Sequence, residues 1–224
     1  MALDFDGAAG YYSLGSTAAL DNLAQAAFAV SAWINPPSTG EGGTGRIATH
    51  RNNTVGSPDN AGGWLFFMDG TASLGFQTVS AAPATLANNR GASNQATLNA
   101  RQHVLLTYDD AGDRKGHIYV GGTEISYGTN TAGSATPGSD ASGDLIIGNN
   151  GDQTRTFAGS MAELAIWTRI PTADEIAALA AGYSPTLFPR SQVVYMPMVR
   201  GAQELRQGVV TASGTHNPQP HPRV

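Results

Sequence analysis

Hydrophobic and polar positions alternate along most of this chain with a period of two. Phe28, Val30, Ala32 and Ile34 fall on one parity, and Ala27, Ala29, Ser31 and Trp33 on the other. In an extended strand this places the two sets on opposite faces. Comparable short runs occupy Arg46–His50, Gly63–Met68, Ser73–Val79, His103–Tyr108, His117–Val120, Glu124–Tyr127, Asp144–Gly148, Phe157–Trp167 and Val193–Val199. Clusters of Gly, Asn, Asp, Ser and Pro separate them, the residues that turns require. The chain opens the same way, with Leu3 and Phe5 alternating with Asp4 and Asp6 before a turn at Gly7. Many short strands at regular spacing predict an all-β fold, a two-sheet antiparallel jelly-roll sandwich. Within it, Leu105–Val120 reads as a hairpin whose loop, Asp109-Asp110-Ala111-Gly112-Asp113, carries turn chemistry. Trp64-Leu65-Phe66-Phe67-Met68 is apolar on both parities and so reads as a strand covered on both faces, or one facing a partner.

One segment breaks the period. Thr172, followed three residues later by Glu175, forms a capping-box pattern, and Ile176, Leu179 and Ala180 make an apolar stripe that ends at Gly182. This predicts one short helix against the side of the sandwich. Ser38–Gly45, Ala81–Asn99 and Gly128–Ser142 read as surface loops. The sandwich is expected over residues 1–182 and a C-terminal extension over 183–224. That extension holds an edge strand marked by Pro197, then an extended arm with Pro218, Pro220 and Pro222.

Composition removes several classes of function. The 224 residues carry 12 Lys+Arg against 17 Asp+Glu, a net charge of −5, so there is no basic footprint for nucleic acid or an anionic membrane. No apolar run approaches the length of a membrane span. The opening residues do not read as a secretory signal. Cysteine is absent, which excludes disulfides, thiol nucleophiles and thiolate-bound zinc.

Several blocks, taken in order, resemble the laminin-G-like jelly rolls of the concanavalin A-like lectin/glucanase superfamily. They are Leu3–Gly7; Phe28–Ile34 with its Trp33; His103–Asp109 with Ile118–Gly122; Leu145–Gly148; and Phe157–Trp167 with the helix that follows. The resemblance spans residues 2–182 and implies two antiparallel sheets packed face to face, with Trp167 as a packing residue. Leu187-Phe188-Pro189, Val194–Met198 and His221-Pro222-Arg223 also resemble the C-terminal extensions of stand-alone laminin-G-like proteins encoded by tailed phages.

Glucanases of this fold place acids as Glu-x-Asp-x-x-Glu on one strand, and a glycosidase needs two carboxylates flanking the bond. Glu163 has Ala165 and Thr168 at the matching offsets, and there is no Gly-x-Ser-x-Gly elbow, so a non-catalytic protein is expected. The five histidines have no zinc spacing, and His103 and His117 only flank a hairpin. No cofactor is expected. Calcium is the alternative, with oxygens from Asp140, Asp144 and Asp152. Sugar binding on such folds uses an aromatic platform beside amides and charges. The candidates are Trp64 and the loops bearing His50, Arg51, Asn52, Asn149, Asp152 and Arg155. Tyr195, Pro197, Pro218, Pro220, His221 and Pro222 are the candidate protein interface. The leading expectation is a phage virion surface protein, a capsid decoration or fibre-associated module that adheres to capsid or other virion proteins. It is expected to be a homo-oligomer, with a trimer as one form. The alternative is a carbohydrate-binding, lectin-like module of a secreted or cell-surface system, extracellular rather than virion-borne.

Overall fold

The computed structural model describes residues 2–51, 62–79, 85–198, 211–213 and 218–219. Asn52, Pro220, His221 and Pro222 lie outside the described residues. Two eight-stranded antiparallel sheets pack face to face. The first is built from β1 (Ala2–Asp6), β3 (Ala27–Asn35), β8 (Gln102–Asp109), β9 (His117–Val120), β10 (Thr123–Glu124), β13 (Ala158–Trp167), β14 (Gln192–Met196) and β16 (Pro218–Gln219). Its order is β10-β9-β8-β3-β13-β1-β16, with β14 also on β13. The second contains β2 (Tyr11–Ser13), β4 (Arg46–His50), β5 (Trp64–Met68), β6 (Leu74–Val79), β7 (Thr85–Gly91), β11 (Tyr127–Thr131), β12 (Leu145–Ile147) and β15 (Thr211–Ser213). Its order is β11-β7-β6-β5-β4-β12-β2-β15.

The period-two pattern sets the core. Phe28, Val30, Ala32 and Ile34 of β3 point inward, opposite Trp64, Phe66 and Met68 of β5 and Leu74 and Phe76 of β6. At the centre Phe28 lies 4.9 Å from Trp64 and 6.1 Å from Tyr108, and Phe76 lies 5.1 Å from Tyr108, centroid to centroid. Each such fully buried side chain contributes about 1.5–3 kcal/mol. Leu65 and Phe67, on the outward parity of β5, are buried as well, so this strand is covered on both faces.

The helix α1 (Ala173–Ala180) starts at Thr172, whose side chain accepts from Glu175 N while Glu175 reaches back to Thr172 N. Glu175 is also held by both terminal nitrogens of Arg169, at 2.6 and 2.7 Å. The helix covers the outer face of the first sheet. Ile176 and Leu179 pack on Ala29, Leu105, Ala165, Trp167 and Tyr195 to form a second, smaller core. Trp167 is fully buried there and its indole N–H donates to Phe188 O at 2.8 Å.

Besides the short C-terminal strands β15 and β16, three strands arise where loops or nothing were expected. β7 lies within Ala81–Asn99 and β11 runs into Gly128–Ser142. Asn88-Asn89-Arg90 shows no apolar alternation, because the inward position is Asn89. Its amide is satisfied internally: Oδ1 accepts from Gly116 N, and Nδ2 donates to Asn130 Oδ1. β2 is three residues long, too short for a period to show.

The C-terminal residues return to the sandwich. β14 pairs with β13 beside the point where β1 stops. β15 lies against β2 and β16 against β1. Pro218, one of the candidate interface residues, is paired with Leu3 of its own chain. Tyr195 is 6 % exposed beneath Phe188 and the helix, so it belongs to the small core rather than to a docking face. Pro197 is half-buried, and its carbonyl accepts from Glu163 N.

Candidate functional site

The candidate site is a shallow cleft on the outer face of the second sheet, where β2, β12 and β4 lie side by side. In β2, Tyr12 enters the core and Tyr11 and Ser13 turn outward. In β12, Leu145 and Ile147 enter the core and Ile146 turns outward. Thr49 and the residue after β4, Arg51, continue the row. The loop after β12 closes one side. Tyr11, Ser13, Asp144, Ile146, Asn150, Gly151 and Gln153 line a space of about 130 Å³, and Thr49 and Arg51 line its extension across Asp144, Ile146 and Gly151.

Two devices hold this geometry. Asn149 is fully buried. Its Oδ1 accepts from Asn150 N and Arg155 N, and its Nδ2 donates to Thr156 Oγ1 at 2.8 Å. It shapes the loop and does not face ligand, a correction to its expected role. Asn150 Oδ1 accepts from Thr154 N, and Gln153 takes a left-handed conformation (φ 58°). The second device is His50. It too is fully buried, in place of the expected loop contact, and its Nε2–H donates to Gly143 O at 2.9 Å. Its Nδ1 faces Asp140 Oδ2 at 3.7 Å. Asp140 in turn accepts from Asn22 N, and burial raises its pKa above the ordinary carboxylate value. These contacts pin the segment that ends at Asp144. The exposed Asp144 receives a hydrogen bond from Ser13 Oγ at 2.6 Å.

The remaining sequence candidates are placed differently. Trp64 is 0 % exposed and packed at a tilt against Phe28, so it offers no platform to solvent. The reason is register: β5 is apolar on both parities, and the Trp64 parity faces the core. Asp152 is half-buried outside the cleft lining, and Arg155 rests its guanidinium against Gly42. The carboxylates of the calcium alternative have separate partners, Asn22 and His50 for Asp140 and Ser13 for Asp144, and no group of three metal-ligating side chains occurs among the described residues. Arg51 and Asp144 are the two sequence candidates that the cleft brings together. Tyr11, Ser13, Asn150 and Gln153 were not among them. The signal for Tyr11 was the pair Tyr11-Tyr12, of which a strand must turn one ring out.

Chemically the cleft offers one aromatic ring, one carboxylate, two amides, two aliphatic hydroxyls and a guanidinium over a small apolar floor. Such a set accepts from and donates to neighbouring hydroxyl groups while a ring covers an apolar face. Asp144 is the one carboxylate lining it among the described residues. Glu163 lies on the other sheet, at a bulge between Ala162 and Ala165 that forces φ to 52°, and it accepts from Tyr195 OH at 2.9 Å.

An antiparallel β-sandwich with a small polar cleft on one outer face defines the class as a lectin-like jelly roll. A family model described as the concanavalin A-like lectin/glucanases superfamily matches residues 6–177, and the chain belongs to that family. Solved structures agree on the fold. A candidate carbohydrate-binding protein from Bacteroides ovatus superposes with a TM-score of 0.65 at 16% identity, over 100% of this chain and 61% of its own. The chain thus spans about 61% of that protein's length. A native heptameric pentraxin from Limulus polyphemus follows at 0.58 and 16%, over 94% and 93% of the two chains. The sialidase module CBM40 of Ruminococcus gnavus, bound to α2,3-sialyllactose, gives 0.52 and 14%, over 75% and 93%. At these identities the likeness is one of fold. No curated protein sequence matches the chain.

Proposed function

We propose that this protein is a non-catalytic carbohydrate-binding module that takes one sugar unit in the cleft between Tyr11, Asp144, Asn150 and Gln153. The observation that carries this reading is the outward Tyr11 ring beside the Ser13–Asp144 pair, in a space of about 130 Å³. Tyr11 covers the apolar face of the ring, Asp144 accepts from two hydroxyls, and Asn150, Gln153 and Arg51 donate. Glu163 is engaged by Tyr195 on the opposite sheet, away from any second acid in the cleft, which supports binding without hydrolysis. A glycan array followed by calorimetry tests it. Saturable binding is expected, with Tyr11→Ala and Asp144→Asn each weakening it at least about tenfold, or about 1.4 kcal/mol, at unchanged melting temperature. An array with no bound glycan removes the proposal.

The setting we propose is the surface of a tailed-phage virion, where the module adheres to capsid or fibre proteins and presents the cleft outward. The phage-like blocks Leu187-Phe188-Pro189 and Val194–Met198 support it. Association between copies belongs to the same proposal, and the fold it shares with a heptameric pentraxin is compatible with that. Purified virions are expected to contain the chain in fixed ratio to the major capsid protein, and light scattering of the pure protein to give more than one copy. A monomer that never sediments with capsids rejects this setting and leaves the cleft untouched.

A further inference from the structure

His117 stands on β9, near the edge of the first sheet, and both of its ring nitrogens are hydrogen-bonded. Nδ1 lies 2.8 Å from Glu124 Oε1, and Nε2 lies 3.0 Å from Asp113 Oδ2. The two carboxylates come from different elements, Glu124 from β10 and Asp113 from the loop that joins β8 to β9. An ionised carboxylate only accepts, and a neutral imidazole carries a single N–H. Both bonds therefore exist together only when the ring is an imidazolium and each nitrogen donates. The ring is 35 % exposed and the two acids more so, which leaves its proton in exchange with solvent.

The surroundings are those of a charged ring. From β11, Tyr127 OH donates to Glu124 Oε1 at 2.8 Å and accepts from Ile118 N at 2.8 Å. From the loop, Lys115 meets Asp113 through its backbone N–H, at 3.0 Å from Oδ1. Arg114 Nε turns instead to Asp110 O, and Asp109 Oδ1 accepts from Ala111 N. β8 places Thr107 opposite His117, and Tyr119, two residues along β9, is opposite Glu124. The helix brings Ile176 and Leu179 to this side of the sheet, while its Glu175 is bound by Arg169. Burial works against charge on the His117 ring, but its bonds to Glu124 and Asp113 outweigh this and hold its pKa above the ordinary imidazole value.

The two anchors differ in strength. The loop is fixed independently of His117, since Gly133 N donates to Arg114 O, and Gly116 N donates to Asn89 Oδ1 on the second sheet. β10 is two exposed residues at the end of its sheet, paired with β9, and Ile125 N just beyond it donates to Ile118 O. We infer that His117 is a pH-operated clasp on this sheet edge: charged, it ties β10 to the hairpin loop, and neutral, it keeps Asp113 and releases β10. Release uncovers the backbone edge of β9. The opening force is the lone pair that a neutral ring turns on Glu124, two acceptors in contact. An unfolded chain takes up this proton near about pH 6.5 and the folded chain at a higher value. The clasp is therefore fully closed below the first value and is lost as the pH rises through the second. None of this depends on the glycan-binding reading.

Two measurements on the full chain test the clasp. In an NMR titration the His117 ring is expected to titrate above about pH 6.5, the value of an unconstrained histidine. Asp113→Asn and Glu124→Gln are each expected to weaken proton binding there about threefold. In hydrogen exchange corrected for the intrinsic rate, the Ile125 amide is expected to lose at least about threefold in protection, relative to the amides of β3, between about pH 5.5 and about pH 8.5. His117→Gln is expected to make that profile flat. Where this variant does not fold, Glu124→Gln at its exposed position serves, with a flat profile expected again. A His117 midpoint at or below the unconstrained value, a midpoint unmoved by both acid variants, or an Ile125 profile equally steep in His117→Gln overturns the inference. So does a raised midpoint with Ile125 protection unchanged across the range in the native chain. Neither measurement reads glycan binding, so the cleft stands or falls separately.

Discussion

The two outer faces of the sandwich start from the same alternating pattern and end differently. On the first sheet the outward residues near the helix are Ala29, Leu105, Ala165, Trp167 and Tyr195, and the helix covers them through Ile176 and Leu179. On the second sheet the outward residues include Ser13, Thr49, Gln77, Asn88, Arg46 and Arg90, with Asp144 and Arg51 at the strand ends. Large apolar side chains on a sheet's outer face require a cover, and a helix is the shortest one the chain can supply. The second sheet also buries Leu65 and Phe67 on its outer side, but towards β2 and β12 its outward residues, Ile146 apart, are polar, and Tyr11, Asp144 and Gln153 there are not buried. One face is spent on stability, the other on recognition, and substitutions on the two should separate cleanly.

The largest effect is expected on the covered face. Trp167→Ala removes a fully buried indole and its hydrogen bond to Phe188 O. A loss of about 3–5 kcal/mol is expected, read as a melting temperature lower by roughly 10 °C, with glycan affinity unchanged below the transition. A small shift in melting temperature would show that the helix and Trp167 do not form a core of their own.

Acid is the next lever, again on the first sheet. His103 is 1 % exposed, its Nε2 is 2.9 Å from Ser31 Oγ, and burial lowers its pKa to about 4. The unfolded chain binds this proton near pH 6.5, and the folded chain only near 4. Between those values the unfolded state holds more protons, so stability is full above pH 6.5 and falls as the pH drops towards 4, by about 3 kcal/mol in all. His103→Gln is expected to flatten that part of the urea-midpoint profile relative to the native chain. An identical slope in both proteins would place the acid sensitivity elsewhere.

On the open face, Tyr11→Ala and Asp144→Asn sharpen the contrast. They are expected to change stability by less than about 0.5 kcal/mol while weakening glycan binding as stated above. The smallest effect is at the helix start. Thr172→Ala breaks one half of the capping box and is expected to cost about 1 kcal/mol by thermal melting. Binding at the cleft should not register it.

The class of fold was legible in the residues alone. Period-two alternation in Phe28–Ile34, His103–Tyr108 and Phe157–Trp167 selects strands, and Thr172-x-x-Glu175 selects the helix start; both are local rules. β7 escaped because its inward position is Asn89, whose hydrogen-bond partners Gly116 and Asn130 lie 27 and 41 residues away. Trp64 escaped for a related reason. An aromatic in a run that is apolar on both parities has no preferred face until neighbouring strands set one, and packing against Phe28 turned it inward.

Local spacing thus determined which segments are extended, where the helix begins and that two layers must close on each other. Tertiary structure alone decided which residues share a face. Tyr11, Arg51, Asp144 and Gln153 meet only because β2, β12 and β4 are adjacent strands of one sheet. The physical reason is that strand pairing joins residues by backbone hydrogen bonds that carry no side-chain signature, so a site assembled across strands leaves no motif along any one of them.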